Sequence, residues 1–179
     1  GFGEIDKLGL HTKVEMALDV KFDRTFVDKL LKQAQVPIIE ASRPNFLVWL
    51  MVDDLENGRR VVDESLAGQA KSVEPLFEVL SALSLAMQER AISYFFPSYD
   101  LEDQLSVSAN EAWALRVDKL NKASQRYAAD GWFAIRVFKA SDGQVRGAWA
   151  YQREGKREMD DFQGESLLSL MTGCIDSVL

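Results

Sequence analysis

The sequence predicts an α/β fold in which helices cover both faces of a mixed sheet. Two apolar runs are the main evidence: residues 45–52 and 92–97 are short, rich in aromatic and branched side chains, and each leads into an acidic cluster. Runs of this kind are typical of strands that are buried on both faces. Helical patterns separate the early strands, and glycine turns separate the late ones. We therefore expect a β-α-β amino-terminal half and an antiparallel meander near the carboxyl end.

The first part of the chain predicts the β-α-β unit. Residues 13–22 alternate apolar and charged side chains with a period of two, which indicates a strand with one exposed face. A helix follows from Thr25, where Asp28 completes a capping box. The buried strand 45–52 comes next, and a right-handed crossover between the two strands is the expected geometry.

A hairpin and a long helix are expected in the middle of the chain. Asn57-Gly58 is typical of a type I′ turn, so residues 59–63 should form a return strand. Residues 64–71 show no clear pattern and are expected to form a loop. The helix that follows leads into a strand at 92–96. It should turn four apolar residues inward: Leu76, Leu80, Leu83 and Met87.

Two short helices are expected after the second acidic cluster. Ser108 and Glu111 have the spacing of a capping box, and the helix that they begin carries Trp113. The next helix spans 117–127 and should end near Asp130-Gly131, because glycine commonly terminates helices.

The carboxyl-terminal part predicts the antiparallel meander and one last helix. Strands at 132–138 and 145–151 flank Asp142-Gly143, a strong hairpin signal, and a weaker strand is expected near 157–162. The final helix is expected to begin at Glu165. Its predicted inward residues are Leu168, Met171, Ile175 and Val178.

Composition excludes several classes of partner. The net charge is −7 and the calculated isoelectric point is about 4.8, whereas nucleic-acid binding relies on clustered Lys and Arg. No apolar stretch approaches the roughly 18 residues of a membrane-spanning helix. With 179 residues, of which 47% are hydrophobic, the chain can bury a substantial core as one domain. We expect no nucleic-acid partner and no membrane span.

The chemistry of common active sites is scarce in this sequence. The single histidine, His11, precedes the first strand, so a Ser-His-Asp triad would depend on that one residue. Zinc needs several Cys or His ligands, and the chain has one of each, His11 and Cys174. There is no G-x-G-x-x-G and no P-loop motif. We therefore assign no catalytic residue, no metal site and no cofactor, and we expect a protein that is not an enzyme.

Carboxylates are the remaining candidates for a binding site. Asp100, Glu102 and Asp103 follow one predicted buried strand, and Asp53 follows the other. If the strands are parallel, both clusters lie beyond the same edge, where open α/β sheets bind ligands. One interpretation is a divalent-cation or carboxylate-pair site. The other, which we favour, is loop charge and helix capping.

Two further residues are candidates for binding. Trp113 belongs to a group of aromatic residues near that edge. Most such residues are expected in the core, but an exposed one can anchor a protein partner. Arg43 can pair with the cluster at Asp53 or bind an anionic ligand, and a structural salt bridge is the preferred interpretation.

Four segments, in their order and spacing, carry a family resemblance: Ser42-Arg-Pro-Asn-Phe-Leu-Val-Trp-Leu50, Tyr99-Asp-Leu-Glu-Asp103, Ala123-Ser-x-x-Tyr127-x-Ala-Asp130 and Trp149. Together they resemble the bacterial family known as domain of unknown function 2066 over residues 20–179. The resemblance implies an exported protein of Gram-negative bacteria, periplasmic or associated with the outer membrane, with no established activity. Its members usually begin with a signal peptide and a further amino-terminal stretch. We therefore expect residues 1–179 to be a single α/β domain without those segments.

More distantly, the β-α-β pattern that ends in Ala-Asp-Gly, with the strand and hairpin after it, is similar to the amino-terminal domain of TolB and to the lipoproteins LpoB and CsgG. The similarity implies a protein that acts by binding other envelope proteins, although fold alone does not determine function. We expect a non-catalytic cell-envelope domain that binds an envelope protein. The alternative is a metal- or small-molecule-binding enzyme that uses the acidic loops. The sequence does not indicate the oligomeric state.

Overall fold

The computed structural model describes four segments, residues 43–54, 58–69, 76–164 and 166–178. The strand predicted at 13–22 and the helix predicted from Thr25 lie outside these segments. The crossover between that strand and the strand at 45–52 therefore stays a prediction. A single domain covering 1–179 stays a prediction for the same reason.

A six-stranded mixed sheet lies at the centre of the described segments. The strands are β1 (Asn45–Asp54), β2 (Gly58–Val62), β3 (Ser93–Phe95), β4 (Gly131–Lys139), β5 (Val145–Arg153) and β6 (Lys156–Gly164). Five of them lie in the order β2-β1-β4-β5-β6, and β3 also pairs with β1. Strands β1 and β4 are parallel, whereas β4, β5 and β6 form an antiparallel meander. The predicted α/β class and the mixed sheet are confirmed.

Two strands share one side of β1. The first residues, Asn45–Leu47, pair in parallel with β3, and the last residues, Leu50–Asp54, pair antiparallel with β2. On the other side, β4 pairs with β1 from Phe46 to Val52. Residues 46–51 are at most 1% exposed. The continuous apolar run of β1 thus corresponds to a central strand that is covered on both faces.

Helices cover both faces of the sheet. They are α1 (Glu64–Gln69), α2 (Leu76–Glu89), α3 (Leu101–Ser106), α4 (Ala109–Trp113), α5 (Val117–Ser124) and α6 (Leu167–Asp176). Helices α2 and α6 pack against the side chains of Phe46, Val48 and Leu50. Residues of α4 and α5 pack on the opposite face, against Leu47, Trp49 and Met51. Alternate residues of β1 therefore enter two separate cores, as the pleat of a strand requires.

Capping and turn residues explain where several elements begin and end. Ser108 and Glu111 form the predicted capping box at the start of α4. Ser166 caps α6 with its side chain. The tight turns after β4 and β5 contain Gly143 and Gly155, which have φ angles of +81° and +82°. Glycine adopts such angles without a steric penalty.

Three local predictions were wrong. Two short helices were predicted between β3 and β4, but the structure has three, because Asp100 caps the additional helix α3. Residues 64–69 form α1 instead of a loop, because Asp63 accepts a hydrogen bond from the Leu66 N–H at 2.7 Å and begins a helix there. A six-residue helix is too short to show a periodic pattern. Leu168 was predicted to point inward but is 37% exposed. Helix α6 buries the predicted Met171 and Ile175, together with Leu170 and Cys174.

Candidate functional site

The acidic residues that follow β3 surround one guanidinium group, that of Arg126. Its Nη1 and Nη2 donate to the two carboxylate oxygens of Asp100 at 2.7 and 2.8 Å. Nη1 also donates to Asp103 at 3.2 Å, and it lies 3.7 Å from the carboxylate of Glu102. The structure therefore brings together three of the predicted site residues and places a cation between them. We call these residues, with Tyr127, the Arg126 cluster.

Asp103 is the innermost residue of the Arg126 cluster, since its side chain has no exposed surface. The Tyr127 hydroxyl donates to the carboxylate oxygen that Arg126 does not contact. The same hydroxyl accepts the Ser98 N–H at 3.0 Å. A buried carboxylate is costly unless it is paired and hydrogen-bonded, and here both oxygens have partners. These contacts fasten α3 to the segment that follows α5 and to the chain that leaves β3.

Asp100 is the N-cap of α3. Its Oδ1 accepts the N–H groups of Glu102 and Asp103 at 3.0 and 3.1 Å. The hydrogen bonds from Arg126, together with the backbone donors, lower the pKa of Asp100 to about 2. Desolvation and the hydrogen bond to Asp103 raise the pKa of Tyr127 above its usual value. A general acid or base works best with a pKa near the operating pH, so this geometry agrees with helix capping rather than with proton transfer.

Sequence reasoning did not identify Arg126 as part of this cluster. It lies 26 residues after Asp100, and helices α3, α4 and α5 separate the two residues in the sequence. A basic residue at the polar end of a helix is expected to be solvated, so nothing in the local pattern indicates a buried partner.

Asp53 lies away from the Arg126 cluster. Phe95, the last residue of β3, pairs with Leu47, and Asp53 lies six residues further along β1. That separation is about 20 Å at a rise of roughly 3.3 Å per residue. The two strands are parallel, as expected, but they end at different heights of the sheet. Asp53 pairs instead with Arg59 at 3.5 Å.

Trp113 belongs to the core between the sheet and α4, where it is 8% exposed. The Arg59 guanidinium lies 4.9 Å from the centre of its ring, and the Phe138 ring contacts it on another side. This position suits packing and a cation–π contact rather than the anchoring of a partner. Arg43 is exposed, and among the described residues it forms no salt bridge.

No group of three or more His, Cys, Asp or Glu side chains in the described segments could hold a metal ion. In the Arg126 cluster the guanidinium already supplies the positive charge that its carboxylates need.

A cavity of about 350 Å³ lies at the carboxyl ends of β1 and β4, beside the first turns of α2 and α6. In open α/β sheets, ligands bind at this edge. Asp53 lines the cavity, together with the charged residues Arg60, Glu78 and Lys139. Six aliphatic residues form most of its walls: Val52, Leu76, Val79, Val137, Val145 and Leu167.

A second depression, which we call the α2 groove, runs along the outer side of α2. Its described lining is Ala67, Phe77, Leu80, Ser81, Ser84, Leu85, Gln88, Tyr94 and Phe96. None of these residues is charged, although 27% of the chain is. Phe77 and Leu85 are the most exposed apolar residues of the groove, at 44% and 43%. Sequence reasoning missed this groove, because exposed and buried apolar residues follow one another along α2.

The described part is a three-layer α/β protein in which no helix has the length and apolar character to cross a membrane. No family model matches the chain, and no curated protein matches it. Among solved structures, it is similar to a competence-damaged protein (CinA) superfamily protein from Escherichia coli. The two are 13% identical, the match covers 89% of this chain and 95% of that chain, and the TM-score is 0.37.

The resemblance to domain of unknown function 2066 is therefore wrong, and so is the more distant one to TolB, LpoB and CsgG. No family model matches the chain, including the segments that carried the resemblance. The structure shows why short segments misled. Asn45–Leu50 is a central buried strand, and Trp149 lies in the core, so their composition reflects burial that many parallel sheets share. Export and an envelope location were inferred from that resemblance, and they stay predictions.

Proposed function

We propose that this protein is a non-catalytic domain that binds another protein in the α2 groove. The observation that supports this proposal is the uncharged, largely apolar lining of the groove on a chain with a net charge of −7. Covering apolar surface is favourable, and monomeric proteins seldom leave a large apolar patch in water. An uncharged groove also keeps like charges out of the contact.

The spacing of the exposed residues suggests what kind of partner segment fits. Phe77 and Leu85 are eight residues apart on α2, which is about 12 Å at 1.5 Å per residue. Ser81 and Ser84 lie between them and are small enough for another backbone to come close. An amphipathic helix that presents apolar residues at i and i+7 or i+8 has the same spacing. The partner we propose is such a helix, with an uncharged apolar face.

Site-specific photocrosslinking tests the proposal. A photoreactive amino acid at Phe77 or Leu85 of the full-length protein should crosslink in cells to one reproducible partner. The matched control is Leu105 of α3, which is 79% exposed. It is also apolar, but it lies on a helix of the opposite layer. Equal crosslinking from Leu105, or none from Phe77 and Leu85, would contradict the proposal.

A pair of substitutions supports the crosslinking experiment. Phe77→Asp should abolish copurification of the crosslinked partner, because a carboxylate would have to be desolvated in an apolar contact. Leu105→Asp introduces the same charge on the other layer and should leave copurification unchanged. Circular dichroism of both variants shows whether the fold is retained.

The envelope location is a separate part of the proposal. If the protein is exported, its partner is a periplasmic or outer-membrane protein. Fractionation of cells that express the full-length protein decides this independently of the groove. Recovery of the protein in the cytosolic fraction would remove the envelope from the proposal and leave the groove in place.

The enzyme alternative gains no support from the geometry. Asp100 and Asp103 both contact Arg126, and Asp100 caps a helix with a pKa of about 2. Asp53 lies elsewhere in the sheet and pairs with Arg59. We therefore do not propose a reaction.

A further inference from the structure

We infer that the cavity at the carboxyl ends of β1 and β4 binds a small zwitterion with an aliphatic side chain, of the size and class of a branched aliphatic amino acid. This site is distinct from the α2 groove, and the inference does not depend on the proposed function.

The walls of the cavity indicate the apolar part of the ligand. Six aliphatic side chains from β1, β4, β5, α2 and α6 line it: Val52, Leu76, Val79, Val137, Val145 and Leu167. Small-molecule sites are typically apolar cavities of a few hundred Å³ or more with a few polar groups at defined positions. A volume of about 350 Å³ accommodates a branched side chain of four or so carbon atoms.

The charged residues indicate the polar part. Glu78 on α2 and Lys139 at the end of β4 both border the cavity. Among the described residues, neither forms a salt bridge. Asp53 and Arg60 also line the cavity, but the Asp53 carboxylate is already paired with Arg59 and Arg60 has a contact of its own. One available anion and one available cation fit a ligand that carries both charges, with its ammonium toward Glu78 and its carboxylate toward Lys139. A ligand with a single charge would pair with only one of these two exposed residues.

Isothermal titration calorimetry with three related molecules tests this inference on the full chain. Leucine carries both charges, 4-methylpentanoate lacks the ammonium group, and 3-methylbutylamine lacks the carboxylate, whereas the branched apolar part is the same in all three. We expect leucine to bind at least about tenfold more tightly than either of the others. Glycine, which lacks the apolar part, should not bind measurably.

Two substitutions identify the site. Lys139→Met and Glu78→Gln should each reduce the affinity for leucine to that of the singly charged molecules. Lys122→Met, on α5 of the opposite layer, is the matched control and should leave the affinity unchanged. Glu78 and Lys139 are both exposed, so their replacement should not disturb packing, and thermal melting should show all variants folded.

Three outcomes would overturn the inference. The first is an absence of saturable leucine binding at millimolar concentrations. The second is equal affinity for leucine, 4-methylpentanoate and 3-methylbutylamine, which would leave no role for the paired charges. The third is leucine binding that neither Lys139→Met nor Glu78→Gln weakens, which would place the site elsewhere.

Discussion

Replacing Asp103 by asparagine should lower the free energy of unfolding by about 2 kcal/mol. The substitution keeps the shape of the side chain and removes its charge. Asp103 is fully buried, and both of its oxygens accept hydrogen bonds, one from Arg126 and one from Tyr127. Asparagine offers a single acceptor oxygen. Its amide nitrogen is a donor, so the side chain can no longer accept hydrogen bonds from both Arg126 and Tyr127.

The magnitude follows from what each partner retains. Removing one member of a buried ion pair costs about 3–5 kcal/mol when the other charge is left without a partner. Here Arg126 keeps both hydrogen bonds to Asp100, so its charge is not stranded. The loss is mainly one hydrogen bond to a charged group, worth about 1.5–3 kcal/mol. For a chain of this size, a loss of about 2 kcal/mol lowers Tm by about 4–8 °C.

Urea unfolding at neutral pH is the assay, and Asp118→Asn is the matched control. Asp118 is 97% exposed and lies 3.6 Å from Arg157, so its replacement should change stability by less than about 0.5 kcal/mol. Tyr127→Phe should also destabilise, and its effect should not add fully to that of Asp103→Asn, because the two side chains share one hydrogen bond. If Asp103→Asn is as stable as Asp118→Asn, the reasoning about the buried carboxylate is refuted.

Three other predictions concern glycine, thiol and carboxylate positions. Gly147→Ala should prevent stable folding, because an added Cβ would lie 2.1 Å from a carbonyl oxygen of β4; Gly173→Ala, where nothing lies within 4 Å, should stabilise α6 by about 0.5–1 kcal/mol, and thermal melting of both variants checks this. Burial raises the pKa of the Cys174 thiol, so a thiol reagent at mildly alkaline pH should label the protein only after urea unfolds it, and rapid labelling of the native protein would contradict this. Arg126 lowers the pKa of Asp100 to about 2, below its ordinary value of 3.8. The stabilisation from ionised Asp100 should therefore be complete above about pH 4 and lost toward pH 2, so the stability difference between the wild type and Asp100→Asn should shrink over that range; a constant difference would contradict this.

Local signals made much of the fold predictable from the sequence. The apolar run of β1, the capping box at Ser108 and the turn at Gly143 each depend on residues that are adjacent in the chain. A turn or a cap is formed by a few neighbouring residues, so a pattern search can find it. Strands β1 and β3 are also parallel, which was the condition for a shared edge of the two acidic clusters.

The register of β3 and the composition of the Arg126 cluster could not be predicted. Parallel direction alone suggested that two acidic clusters share one edge, but Phe95 pairs with Leu47 near the start of β1. Likewise, Asp103 meets Arg126 only after α4 and α5 reverse the chain twice. Such contacts depend on tertiary packing over more than 20 residues, which no local pattern encodes.

Exposure was equally difficult to predict along α2. Leu76 and Phe77 are adjacent and both apolar, yet the first is 3% exposed and the second 44%. Apolar residues on a helix are expected to face the core. The pattern identifies the buried face of the helix only when polar residues mark the exposed face. Where both are apolar, the structure is needed to separate packing from a binding surface.

The arrangement of β1 between β3 and β4 has a consequence for how the chain folds as the ribosome makes it. Strand β1 ends at Asp54, but the strand that covers its other side begins at Gly131. At synthesis rates of about 5–20 residues per second, several seconds pass between these two points. During that interval the growing chain exposes the backbone of an aromatic strand along one whole edge, which is an aggregation hazard. A chaperone that binds extended apolar segments should therefore recognise Phe46–Met51 in the nascent chain and release it once β4 is made.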